Sequence, residues 1–153
     1  MYVKVEHRLG IQAPAETIWA EVSDIASWGA WNPLYPRAEG QVRMGERLTL
    51  EVAVPGRTRR LIRPTVVDWV PREQIHWELS AAGGLLKSTR YIEIEELIET
   101  GCIFSNGEIF TGPLIRLLGK RRRDELKAGF KAMGDAVKTR AEAAWRAEEK
   151  SPN

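Results

Sequence analysis

The stretch GPLIRLLGKRRRDELKAGFKAMGDAVKTRAEAAWR, residues 112–146, decides the architecture of this 153-residue chain. Gly112 and Pro113 end the strand pattern that precedes them, because proline donates no backbone N–H and glycine weakens an extended run. Beyond them Leu114, Leu117, Leu118, Leu126, Phe130, Met133, Val137, Ala141 and Ala144 recur mostly at intervals of three and four. That spacing lines one face of a helix. It predicts a single element from about 113 to 146, roughly 45 Å long at 1.5 Å per residue. The stripe is broken once, by Lys120-Arg121-Arg122-Arg123-Asp124-Glu125. A helix with one apolar face needs an apolar partner of matching length, and the upstream chain must supply it.

Upstream, the period is mainly two. In residues 2–11, Val3, Val5, His7, Leu9 and Ile11 share one face, and Lys4, Glu6 and Arg8 the other. That is a half-buried strand. Pro14 suits a helix entry, and Ile18, Trp19 and Val22 lie on one side of the short helix that follows. Ser23 or Asp24 is positioned to cap a second short helix. Residues 27–36, punctuated by Gly29, Pro33 and Pro36, read as a compact turn-rich segment. From residue 37 alternation returns, most clearly at Leu48, Leu50, Val52 and Val54. Pro55-Gly56 marks a hairpin. A longer strand is expected over 58–70, bulged or at an edge near Pro64. Residues 74–79 alternate again, Gly83-Gly84 turns the chain, and 88–97 and 102–111 form a last hairpin around Glu99-Thr100-Gly101. The order is strand, two short helices, about six antiparallel strands, long helix. Such a chain is an α+β domain whose curved sheet buries its apolar face on the terminal helix. One domain is expected over 1–147, with a frayed tail at 148–153.

Composition narrows the function classes. The formal net charge of +2 and 29% charged residues describe an ordinary globular chain, not a strong attractor of nucleic acid. No run approaches the roughly 18 apolar residues of a membrane span. One cysteine, Cys102, excludes an intrachain disulfide and points to the cytoplasm. Two histidines and that one cysteine argue against a zinc site, and no cofactor motif is present. Six tryptophans point to extensive aromatic surface.

Two segments carry a family likeness. Ile11-x-Ala13-Pro14-x-Glu16-x-Ile18-Trp19, with Asp24 and then Trp28-x-x-Trp31-Asn32-Pro33, resembles the opening of the START-like, or SRPBCC, superfamily. Glu108-x-Phe110-x-Gly112-x-Leu114, followed by Phe130-x-x-Met133 and Lys138, is similar to the end of its bacterial polyketide cyclase/dehydrase-like branch. The likeness spans about 3–142. It implies the helix-grip fold: a seven-stranded antiparallel sheet wrapped around the last helix, with a cavity between. That superfamily includes lipid carriers, hormone receptors and aromatic polyketide cyclases, so the resemblance implies a fold and leaves function open.

Candidate site residues follow from strand parity. If Ile98 pairs with Cys102 across a three-residue turn, then Ile94 faces Asn106, Ile92 faces Glu108 and Arg90 faces Phe110. Ile92 and Phe110 mark that face as inner, so Arg90, Asn106 and Glu108 are inside, with Arg90 and Glu108 diagonal neighbours. An apolar wall carrying a few polar groups is what a small-molecule pocket looks like; a structural ion pair is the plain alternative. Leu114, Leu118 and Phe130 would line it from the helix. Trp28 and Trp31 fall where the family closes its cavity mouth, beside Leu34 and Tyr35, although a surface turn position is the simpler reading of Tyr35. Trp77 is inward, as pocket or as core. Trp19 reads as core. Trp145 is peripheral or part of a contact in a homodimer. Arg122, four after Leu118, lies on the inward stripe and could guard the entrance or meet a carboxylate. Two functions remain open. One is binding of a small apolar or aromatic molecule with a polar end. The other is a cyclase or dehydratase reaction with Glu108 as acid or base and Arg90 steadying an enolate.

Overall fold

The computed structural model describes residues 1–151. β1 (Val3–Ile11) leads into α1 (Ala15–Ser23), a 3-10 turn at Ile25–Ser27 and the one-turn α2 (Trp28–Trp31). β2 (Arg37–Glu39), β3 (Thr49–Val52), β4 (Arg60–Ile62), β5 (Thr65–Val70), β6 (Gln74–Ala81), β7 (Leu86–Ile98) and β8 (Gly101–Thr111) follow, and α3 (Lys120–Glu149) closes the chain. The strands are antiparallel in the orders β1-β8-β7-β6-β5 and β2-β3-β4. The two sheets are stitched where residues 45–48 meet 64–66: Gly45 N–H donates to Val66 O, Val66 N–H to Glu46 O and Leu48 N–H to Pro64 O. α3 packs against β1, β8 and α1. This is the helix-grip arrangement, with eight strands where seven were expected.

The extra strand comes from Pro64. Without an N–H, Pro64 cannot continue a ladder, so the expected strand over 58–70 splits into β4 and β5, which join different sheets. The bulge falls just beyond it, between Val66 and Asp68. It turns Val67 and Trp69 outward, where both are exposed.

Three other expectations are corrected. First, the terminal helix does not start at Pro113. Pro113–Leu117 is a 3-10 turn, Leu118 is non-helical and Gly119 is extended, so α3 begins at Lys120. Gly112 sets this up with φ 109°, and a Cβ there would lie 2.3 Å from the Leu85 carbonyl oxygen. Leu117 therefore leaves the stripe and is 79% exposed. At its other end α3 runs to Glu149, so the tail is helical past 147; residues 152 and 153 lie outside the described residues. Second, neither Ser23 nor Asp24 caps a helix with its side chain. Ser23 Oγ donates to the Trp19 carbonyl instead. Third, the last hairpin turns on Glu99 and Thr100 alone, with Ile98 opposite Gly101 and an irregularity between Glu96 and Ile98. Beyond that irregularity the expected pairs move by two: Ile94 opposes Phe104, Ile92 opposes Asn106 and Arg90 opposes Glu108. A shift of two preserves the face of every residue, so the inner assignments stand.

Candidate functional site

Sheet register brings the central charges together. Arg90 on β7 lies opposite Glu108 on β8, and Trp77 on β6 lies opposite Arg90 from the other side. Arg90 Nε is 3.3 Å from Glu108 Oε2, with both side chains 4% exposed. A third partner comes from the turn after α2. Asn32 Oδ1 accepts the backbone N–H groups of Leu34 (3.1 Å) and Tyr35 (3.3 Å). This Asx-type turn swings Leu34 and Tyr35 into the interior, where both are 1% exposed. The surface-turn reading of Tyr35 is therefore overturned. Arg90 Nη1 donates to the Tyr35 hydroxyl at 3.0 Å, leaving the phenolic proton free to be donated.

Aromatic rings enclose this triad. Trp28 stacks on Tyr35 with centroids 5.2 Å apart, and Trp77 stands 6.3 Å from Trp28 and 6.1 Å from Tyr35. The Arg90 guanidinium lies 5.8 Å from the Tyr35 ring and 5.7 Å from that of Phe130 on α3, within cation–π range. Burial opposes the charge on Arg90, yet Glu108 and Tyr35 together hold its pKa above the ordinary value. Burial likewise raises the Tyr35 pKa, which Arg90 only partly offsets. At neutral pH the site therefore holds a cationic guanidinium and a protonated phenol.

Several buried polar atoms here have no protein partner: Trp28 Nε1, Trp77 Nε1, both amide atoms of Asn106 and Glu108 Oε1. Buried polar groups are ordinarily paired, and each unpaired one costs about 1–3 kcal/mol. Trp28 and Trp77 stand 6.3 Å apart, and Asn106 and Glu108 are two residues apart on one face of β8, which makes this region the candidate site.

The remaining expected residues surround this centre. Ile92 is buried beside Asn106 across the β7–β8 pair, and Phe110 is buried further along β8. Leu34 reaches α3 at Gly129, where a Cβ would come 3.0 Å from Leu34 Cδ1. Leu114 and Leu118 are half-buried before α3. Trp28 is central, not at a rim. Trp31 stands apart: its Nε1 donates to Ser27 Oγ, and the Arg140 guanidinium lies 5.2 Å from its ring. Trp19 and Trp145 are half-buried against the core.

A cleft of about 410 Å³ is lined by Val52, Val54, Arg57, Thr58, Arg60 and Arg122. Arg57, Thr58 and Arg60 were not singled out in the sequence. They lie on the β3–β4 connection and the start of β4, and only tertiary structure sets them beside Arg122. The dense basic spacing of Arg57, Arg59, Arg60 and Arg63 was the one available signal. A larger concavity, about 1050 Å³, lies on the opposite face of the sheet among Lys4, Glu6, Arg8, Glu93 and Glu95. Lys4 pairs with Glu6 and Arg8 with Glu95 there, and its lining is mainly charged and mostly acidic, so it does not suit a small apolar ligand. Among the described residues no group of three or more acidic, histidine or cysteine side chains could hold a metal, and no helix is long and apolar enough to cross a membrane.

The family described as polyketide cyclase / dehydrase and lipid transport matches residues 2–144. The chain belongs to this family. Solved structures share the family's fold. A START superfamily protein from Mycobacterium smegmatis superposes with a TM-score of 0.73 at 19% identity, covering 92% of this chain and 98% of that one. The di-domain ARO/CYC StfQ from the steffimycin biosynthetic pathway superposes with a TM-score of 0.68 at 15% identity, covering 99% of this chain and 53% of that one. A norcoclaurine synthase point mutant from Thalictrum, in complex with a transition-state analogue, gives 0.66 at 17% identity, covering 99% and 98%. At these identities the likeness is one of fold alone. By sequence, no curated protein matches the chain.

Proposed function

We propose that this member of the family binds a small, mainly apolar or aromatic molecule with a polar end, held between the sheet and α3. One observation carries the reading: buried polar atoms of Trp28, Trp77, Asn106 and Glu108 lack protein partners, and Trp28, Trp77 and Tyr35 pack together on the inner side of the sheet that carries Glu108 and Asn106. A purely structural core would pair or omit such groups. Aromatic faces supply affinity, and the few polar atoms supply orientation. Trp28, Tyr35 and Trp77 pack on one another, so a guest enters by displacing side chains. Native mass spectrometry of protein purified from its own host tests this. The expected result is a small-molecule adduct lost on denaturation. Bare protein that also leaves added aromatic amphiphiles unbound overturns it.

A second reading is a cyclase- or dehydratase-type enzyme, favoured by one feature. Glu108 Oε1 is unpartnered while Oε2 is held by Arg90. Glu108 could then take a proton α to a carbonyl, and Arg90 with the Tyr35 hydroxyl could donate to the enolate oxygen. The ARO/CYC and norcoclaurine synthase structures share the fold that such chemistry would use. Glu108→Gln separates the readings: an enzyme loses turnover, whereas a carrier keeps its guest.

A further inference from the structure

The basic cleft beside the buried pair has a charge balance that the fold does not require. Arg122 stands in the first turn of α3 with Nη1 buried and unpartnered. The charges of Arg57, Arg60, Glu108 and Arg90 all act on it. Arg122 thus lines the cleft and also feels the buried Arg90–Glu108 pair. Val52 and Val54, on the cleft wall, are buried core residues. Glu125 is already shared by Arg57 and Arg121. Arg57 is thus paired with Glu125 and Arg90 with Glu108, while among the described residues Arg60 and Arg122, both lining the cleft, form no ion pair, so the cleft keeps a positive excess. Structural ion pairing would balance it.

We infer that the cleft formed by Arg122, Arg60 and Arg57, with the Thr58 hydroxyl, is a carboxylate subsite that holds the anionic end of an amphiphilic guest at the mouth of the grip. This rests on the reading that a small molecule enters between sheet and helix. A guanidinium presents paired N–H donors that match a carboxylate. Arg122 on the cleft wall supplies such a fork. Burial, aided by Arg57 and Arg60, lowers the Arg122 pKa from its ordinary value; an anion paired with the guanidinium would offset both. Val52 and Val54 give the adjoining carbons an apolar wall.

The test compares naphthoate with naphthamide, which share shape and differ in charge. Affinities are read at neutral pH by tryptophan fluorescence and calorimetry. The wild type should bind naphthoate roughly tenfold more tightly or better, the size expected for a charge-assisted hydrogen bond. In Arg122→Gln and Arg60→Gln/Arg122→Gln that ratio should fall towards one, with each variant's thermal unfolding recorded to show it folded. Equal binding of the two probes by wild type, or a ratio unchanged in the double variant, overturns the carboxylate subsite and leaves ligand binding standing. Binding of neither probe overturns both.

Discussion

Replacing Glu108 by leucine probes the centre of the site. The change removes the carboxylate 3.3 Å from Arg90 and leaves a guanidinium 4% exposed with only the Tyr35 hydroxyl as partner. Stranding one member of a buried pair costs roughly 3–5 kcal/mol. For a domain of this size that lowers the melting temperature by about 6–20 °C, a large share of the roughly 5–15 kcal/mol that holds a domain folded. Substituting both residues, Arg90→Met with Glu108→Leu, removes both charges and the unpartnered Oε1 together. The double variant should therefore be near wild type or more stable, since such swaps are neutral or favourable by about 1–4 kcal/mol. Urea unfolding followed by tryptophan fluorescence reads all four corners of the cycle. A single-variant cost below about 1 kcal/mol, the scale of an exposed pair, would refute the buried-pair reasoning. So would additive losses in the double variant.

Two further outcomes follow from burial. The Tyr35 pKa is raised from 10.0. Its unfolded phenol ionises first, so its contribution is fully present below that value and is lost as pH climbs beyond it. Tyr35 should show no phenolate absorbance until the chain unfolds, and Tyr35→Phe should flatten the alkaline loss of stability; a reversible titration of Tyr35 in the folded protein would contradict this. Cys102 is 2% exposed, and burial, with Glu96 beside it, raises its thiol pKa. Ellman's reagent should label it only on denaturation, and fast labelling of the native protein would contradict its placement.

How far the site was legible in sequence depended on periodicity. Parity alone put Arg90, Asn106 and Glu108 on the inner face, and an error of two in the hairpin register left them there because the strand period is two. The pairing itself was misread as diagonal, because an irregularity near Leu97 carries no compositional mark. The interior stripe of α3, Leu126 to Ala141, was legible. Its start was not, because Leu114 and Leu117 fit the helical spacing while Gly112 and Gly119 set a different backbone. Tyr35 was named beside the cavity mouth, but its buried place was not legible, because a single Asn32 oxygen bonding two N–H groups, not a pattern, turns it inward. The basic cleft joins residues 57–60 to residue 122, and no local signal reports a contact at that separation.

The most direct measurement is an indole N–H NMR titration of the labelled protein with naphthoate. Guest binding between sheet and helix predicts that the Trp28 and Trp77 indole signals shift together and saturably, because both N–H groups are buried without partners. The exposed Trp69 should not respond. Shifts confined to Trp69 and other surface signals, with Trp28 and Trp77 unmoved, would contradict the account.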